Sequence, residues 1–496
     1  MGVIQRQSLK YTLLNFIGLA IGTASTLLVY SRSEVVETYG LIQYFLSICV
    51  LSFPILSLSA HTLAVRFFPH FADDASDRAA FFTSTVLLPF GGWLLWMGLA
   101  AIGWWLQGPP GRPLAHFGWL VPLALFYGLS LVLTYYASNR QRIVVPSLLF
   151  EVSLKIALPL LLIALWQGWL SPTAVLTALV GHFAVITVLL VLYLVRLGER
   201  FARPTAATFS PDLRRSMVRY ALFNVFSGMA LLMATKADTF WVGTLTDMRR
   251  TGIYAIALNI AVVMDIPLKG LLTVSIPIMS RHLAQDDRPA LADLYRSVAV
   301  HLSAAGLFLF GCVAVAADDL YRLMPNGAEM AEGKGVLFLL CAAKLVETTM
   351  SLNGYMVYYS RYYRYALVSL AVLAAANIGF NRWLIPQFGI TGAALAAFMT
   401  AVAYQLSGAT LVWLKFRLQP FSVKTLQLLL FALLATGAVW FLPDVGHPLV
   451  NIAARAGSFA AGFSGAVWWS GVLPEWNRML KDLSKNTRAL FFGRYL

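Results

Sequence analysis

The chain has 496 residues, 59% of them hydrophobic and only 12% charged, with a mean hydropathy of +0.72 and a formal net charge of +15. A water-soluble fold of this length needs a far more charged surface, so lipid must be the solvent for most of it. Long apolar runs in lipid close their backbone hydrogen bonds as helices, which excludes a barrel of short alternating strands. The predicted class is therefore an all-α polytopic membrane protein. Apolar windows predict about 14 spans, near residues 11–30, 39–60, 82–106, 114–136, 143–165, 172–195, 217–243, 252–280, 297–316, 334–358, 364–385, 389–414, 423–442 and 449–472. Pro54, Pro159, Pro267 and Pro277 fall inside spans, where each should kink its helix.

The basic residues alternate in density from loop to loop. With the N-terminus placed in the cytoplasm, the same-side segments hold 25 Lys and Arg, from Arg6 and Lys10 through the run Arg196, Arg200, Arg203, Arg214, Arg215 and Arg219 to Arg494. The opposite loops hold 7: Arg32, Arg112, Arg249, Arg250, Arg322, Lys334 and Arg382. This bias predicts that both termini are cytoplasmic, and it accounts for the net charge without a nucleic-acid partner. Trp104, Trp105, Trp119, Trp166, Trp169, Trp241, Trp383 and Trp440 cluster at the predicted outer ends, as interfacial rings should. The first span follows Arg6 and Lys10 as a signal peptide would, but its apolar stretch is too long, and it reads as an uncleaved first helix. Cys49, Cys312 and Cys341 are scattered through the spans, giving neither a disulfide framework nor a metal-ligand spacing. The longest outer loop, about residues 317–333, contains Asp318, Asp319, Glu329 and Glu332 but no catalytic pairing. No glycine loop suited to phosphate is present either, and no cofactor is expected.

The sequence repeats itself. Tyr11 and Asn15 in the first span match Tyr220 and Asn224 in the seventh; Gly40 opens the second span as Gly252 opens the eighth; Tyr135, Tyr136 and Arg140 match Tyr358, Tyr359 and Arg361. Three echoes in one order predict a duplicated six-helix unit, with two pseudo-symmetric lobes and a cavity between them suited to alternating access. The expected organisation is a first lobe at 1–197, a basic cytoplasmic linker at 198–216, a second lobe at 217–415, and an additional helix pair with a basic tail at 416–496.

Several segments resemble one family. They are Lys236-Ala-Asp238 through Thr251-Gly252-Ile253-Tyr254-Ala255, Pro325-Asn326-Gly327 with Gly333-Lys334, Asn353-Gly354 leading to Tyr359-Ser360-Arg361-Tyr362-Tyr363-Arg364, and Asn381-Arg-Trp-Leu-Ile-Pro386-Gln-Phe-Gly389-Ile-Thr-Gly392. In this order they are similar to the oligosaccharide flippases of the multidrug/oligosaccharidyl-lipid/polysaccharide exporter superfamily. The resemblance implies a two-lobed carrier moving undecaprenyl-pyrophosphate-linked sugars across the bacterial inner membrane, for lipopolysaccharide, capsule or exopolysaccharide assembly. It also implies a monomer; membrane lipids are expected partners, and a polysaccharide polymerase is a further candidate partner that the sequence leaves open.

Charges within a bilayer cost several kcal/mol unless paired or wet, so those in the spans are the candidate site residues. Glu151 and Lys155, Asp265 and Lys269, and Lys344 and Glu347 each fall three or four residues apart, which predicts three pairs, each on one helix face. Structural self-neutralisation is one reading of these pairs; the lining of a polar cavity is the other. Lys236 and Asp238, two apart on one predicted helix, cannot neutralise each other and need partners elsewhere. In the cavity reading Lys155, Lys236, Lys269 and Lys344 bind the pyrophosphate, with Asn15 and Asn224 as candidate sugar contacts or interhelical hydrogen bonds. Asp238, Asp265, Glu347 and Glu151 then carry a coupling H+ or Na+. A drug/cation antiporter of the same architecture, and a membrane glycosyltransferase or polymerase, are the alternatives.

Overall fold

A computed structural model describes residues 17–107, 116–140, 142–205 and 208–473. These residues form helices and turns, with no strand among them, so the chain is an all-helical multi-pass membrane protein. In chain order the main helices are α1 (Ile17–Tyr30), α2 (Val36–Ser57), α3 (Ala60–Phe67), α4 (Ala75–Gln107), α5 (Phe117–Ser138), α6 (Val144–Trp166), α7 (Pro172–Arg196), α8 (Pro211–Lys236), α9 (Asp238–Leu245) and α10 (Met248–Ala261). They continue as α11 (Asp265–Ala284), α12 (Arg288–Leu323), α13 (Lys334–Thr349), α14 (Leu352–Tyr358), α15 (Tyr363–Phe416), α16 (Val423–Val439) and α17 (Pro448–Ser470).

Every predicted span overlaps one of these helices. Nine of the described helices are long and apolar enough to cross a membrane, or ten if Gly327–Thr349 and Leu352–Tyr358, bent by 47°, make one span. The larger predicted number arises partly because the 53-residue stretch Arg364–Phe416 holds two predicted spans. Gly389 divides them: its φ of 56° and ψ of −137° interrupt the helix in a conformation that is essentially restricted to glycine. Gly389→Ala should therefore cost about 1–3 kcal/mol, read as a lower thermal midpoint in detergent. Pro54, Pro159 and Pro277 are interior to helices as expected, whereas Pro267 falls in the first turn of α11, where no helical hydrogen bond is lost. The outer loop expected from residue 317 begins later, because α12 runs on to Leu323 and buries Asp319 completely.

Contacts divide the chain into two compact units, Met1–Asn259 with Leu370–Ala396, and Ile260–Ser369 with Ala397–Leu496. This cut differs from the one drawn from the repeat. In unit 1 the fully buried rings of Tyr39, Phe45, Phe81, Phe82, Tyr136 and Phe183 fill the interior. Helices α2 and α10 meet there backbone to backbone at two glycines equivalent in the repeat. A methyl added to Gly40 would lie 1.8 Å from the Met248 carbonyl oxygen and 2.7 Å from the Gly252 nitrogen; one added to Gly252 would lie 2.2 Å from the Val36 carbonyl oxygen. Small residues at a crossing are how membrane helices gain close van der Waals contact without a hydrophobic driving force. Nearby, Tyr44 stacks on Phe240 and its hydroxyl is 3.3 Å from that of Thr244, so α9 seats against the same helix. Gly252→Val is expected to separate α2 from α10 and cost about 1–3 kcal/mol, measured by thermal unfolding.

In unit 2, α12, α16 and α17 share an apolar cluster that includes Leu307, Leu428, Phe459 and Phe463. Its polar counterpart lies at one end of α12. Asp319 accepts from Arg455 at 2.8 Å and from Asn451 at 3.2 Å, both on α17, while Arg322 bridges to Asp444 at 2.8 Å. Leu426, Leu429, Leu430, Leu433 and Leu434 on α16 are exposed, the pattern of a helix whose outer face is wetted by lipid.

Candidate functional site

The intramembrane charges come together most closely in unit 2. Asp265 is the first residue of α11, placed there by a single 3-10 turn over Val262–Met264. Its carboxylate lies 3.3 Å from the Lys344 ammonium, which also donates to Glu347 at 2.9 Å. All three side chains are mostly withdrawn from solvent: 16% of Asp265, 17% of Lys344 and 33% of Glu347 remains accessible. Two carboxylates therefore surround one ammonium, and the ionised triad carries one uncompensated negative charge.

Buried amides hold this arrangement from behind. Gln405 donates through Nε2 to the Glu347 backbone carbonyl at 3.5 Å, and the Gln405 backbone carbonyl accepts from Asn353 Nδ2 at 3.1 Å. Tyr295 donates to Asn353 Oδ1. Tyr295, Asn353 and Gln405 are almost completely buried, which ties α12, α14 and the second half of α15 to the end of α13 that carries the triad.

The expected Lys344–Glu347 pairing is present, but two other expected pairings are not. Lys269 is exposed and forms no ion pair with Asp265, whose partner is Lys344 across the helix interface. Lys344, held beside Glu347 on α13, reaches Asp265 from the neighbouring helix and supplies its counterion there. Glu151 and Lys155 also remain apart. Residues Leu148–Val152 form a π-helical turn, and a wider turn moves Glu151 out of the register that an i,i+4 pair requires. Glu151 is exposed; the stem of Lys155 lies across α1, so that a methyl on Gly18 would sit 3.2 Å from Lys155 Cδ.

Lys236 and Asp238 belong to two helices rather than one. Lys236 ends α8 and is exposed; Asp238 opens α9 and is half-buried. Each helix terminus favours the charge it carries, a cation at a C-terminus and an anion at an N-terminus. Asn224 is half-buried, and its amide donates within the helix to the Tyr220 carbonyl at 2.9 Å. Asn15 lies outside the described residues. His182 and Ser153 are within hydrogen-bond distance, 3.3 Å, an arrangement of packing rather than of ligation. Among the described residues no group of three or more His, Cys, Asp or Glu could hold a metal ion.

Two charged clusters escaped sequence reasoning. One is the Asp319–Arg455 network described above. The other is Glu199 in unit 1, whose fully buried carboxylate is 3.1 Å from Arg140 Nε and 3.7 Å from Arg78 Nε and accepts from the Tyr136 hydroxyl at 3.2 Å. Tyr136 and Arg140 were visible as members of a repeat, which was the one available signal.

A family model described as "Polysaccharide biosynthesis protein" matches residues 116–324. No curated protein sequence matches the chain significantly. Among solved structures, the fold is similar to that of "Lipid II flippase MurJ, inward closed conformation", with a TM-score of 0.70 and 12% identity over 93% of this chain and 99% of that one. An inward-facing multidrug resistance MATE transporter of the MOP superfamily gives a TM-score of 0.55 and 12% identity, covering 80% of this chain and 94% of its own. A MOP superfamily transporter from Pyrococcus furiosus gives 0.52 and 12%, covering 84% and 95%. These structures have flippase or transporter names, and the chain has their fold; the glycosyltransferase alternative has no counterpart among them.

Proposed function

We propose that this chain is a flippase that carries undecaprenyl-pyrophosphate-linked oligosaccharide across the bacterial inner membrane by alternating access, for lipopolysaccharide, capsule or exopolysaccharide assembly. The observation that carries the reading is the fold likeness to a flippase of a lipid-linked substrate over 93% of the chain, against 80% and 84% for the two other transporters. The polysaccharide family match over residues 116–324 points to the same substrate class.

The site residues divide by charge state. Lys155, Lys236 and Lys269 stand outside the triad and are the cations available to a pyrophosphate, while Lys344 is committed to Asp265 and Glu347. Asn224 would serve sugar hydroxyls only by giving up its bond to Tyr220. The triad, with its excess negative charge, is suited to a coupling H+ or Na+: one bound cation neutralises it, and neutral groups tolerate low dielectric far better than charged ones. Asp238 and Glu151 are the further carboxylates in this role. The cation-coupled cycle, a monomeric state, both termini in the cytoplasm and cooperation with a polysaccharide polymerase complete the reading.

Ligand-dependent thermal stability of the detergent-solubilised protein tests the substrate class. Undecaprenyl pyrophosphate should raise the thermal midpoint more than undecaprenyl monophosphate, and a cationic dye should leave it unchanged. Stabilisation by the dye alone would move the chain to the drug/cation antiporter reading.

A further inference from the structure

We propose that unit 1 holds a separate site for the phosphate of an anionic lipid headgroup, in a cavity of about 330 Å³ lined by Asn139, Arg140, Arg142 and Leu197. The volume lies within the range of small-ligand sites. The cavity sits where α5 and α7 end, at the boundary between apolar helix and polar loop. By the charge bias this is the arginine-rich side of the membrane.

The electrostatics call for an anion. Arg140 and Arg142 line the cavity, and Arg140 shares the buried Glu199 carboxylate with Arg78, so these four charged residues carry an excess of two positive charges. Arg142 is exposed and pairs with no carboxylate among the described residues. Arg140 is fixed on two sides, by Glu199 through Nε and by the Leu197 carbonyl, which accepts from Nη2 at 2.7 Å. A guanidinium already locked in this way presents its remaining donor edge without further loss of side-chain freedom, as phosphate recognition by arginine favours. Glu199 and Tyr136 therefore act as positioning residues for the cavity.

A stripe on α7 selects a lipid over a soluble phosphate. Val185, Val188, Leu189, Leu192 and Val195 are all exposed, at spacings that place them along one helix face, and the stripe ends two residues before cavity-lining Leu197. An acyl chain lying on that face brings its headgroup to the arginines. Arg196, Arg200 and Arg203, next in sequence, add to the local potential that attracts an anionic leaflet. The proposal does not rest on the flippase reading, and its failure would leave that reading untouched.

The test is retention of phosphatidylglycerol against phosphatidylcholine by the full-length protein, counted by native mass spectrometry. Arg142→Gln should lower phosphatidylglycerol retention about fivefold, the equivalent of one basic residue at an anionic surface, and leave phosphatidylcholine unchanged. Arg140→Lys, which keeps the charge but loses the planar fork, should also lower it, whereas Arg382→Gln on the other side should not. Equal retention by the wild type and Arg142→Gln would overturn the site. Binding of inorganic pyrophosphate in phosphatidylcholine alone, with no preference for phosphatidylglycerol, would overturn its assignment to a lipid.

Discussion

Lys344→Ala is expected to abolish ion-coupled transport and to lower stability by about 3 kcal/mol. The substitution leaves Asp265 and Glu347 facing a space that held a cation 3.3 Å from one and 2.9 Å from the other. Breaking a mostly buried ion pair by removing one partner is costly because the remaining charge has neither water nor a counterion. Adding Glu347→Gln should recover part of the stability, since one carboxylate fewer remains to be neutralised. It should not recover coupling, because only Asp265 remains of the two carboxylates proposed to share the cation. Thermal unfolding and ion-gradient-driven transport, measured on the single and double variants, separate these effects. A Lys344→Ala protein with wild-type stability and undiminished gradient dependence would remove the triad from the mechanism.

The second large effect concerns the anchorage of the last two helices. Asp319→Ala should cost about 4 kcal/mol and loosen α16 and α17 from α12. Asp319 is fully buried and is the acceptor for Arg455 at 2.8 Å and for Asn451 at 3.2 Å. Its loss leaves the Arg455 guanidinium, 21% accessible, without a counterion inside a helix pair. The apolar cluster around Phe459 and Phe463 would remain, so the pair should detach partially rather than unfold. Limited proteolysis in the connection between Phe416 and Val423 reads this directly: cleavage should accelerate in Asp319→Ala and much less in Asp319→Asn. Unchanged cleavage would mean that apolar packing alone holds the pair.

The fold was legible because hydrophobic run length is a direct consequence of bilayer thickness, and each predicted span overlaps a helix. Where one helix ended and another began was less legible. The Gly389 break was visible as a boundary between two spans, but the extension of α12 to Leu323 was hidden because Asp318 and Asp319 read as loop residues. Asp319 is buried only because Arg455, some 136 positions away, neutralises it; no local pattern encodes such a partner. The candidate site shows the same limit. Lys344 and Glu347 were paired correctly because an α-helix sets their spacing. Asp265 was given the wrong lysine because its partner lies on another helix, and Glu151 lost its expected partner to a π turn that hydrophobic periodicity does not report. Glu199, at the start of the expected basic linker, carried no signal of its own, and it is buried against Arg78 and Arg140 from elsewhere in the chain.

The repeat shows a similar mixture. Gly40 and Gly252, matched in sequence, face each other at a helix crossing, where both must be small for the same steric reason. Tyr136 and Arg140 serve Glu199, but their sequence equivalents Tyr359 and Arg361 are exposed. Duplication preserved the packing position and not the charge cluster.

Translocation in proteoliposomes tests the central claim most directly. A fluorescent undecaprenyl-pyrophosphate oligosaccharide is placed in the membrane, and accessibility of its label to an external quencher is followed with and without a proton or sodium gradient. The account predicts protein-dependent movement of the label that responds to one of the gradients and is lost in Lys344→Ala. No movement of that lipid, together with gradient-driven uptake of a cationic dye, would contradict it.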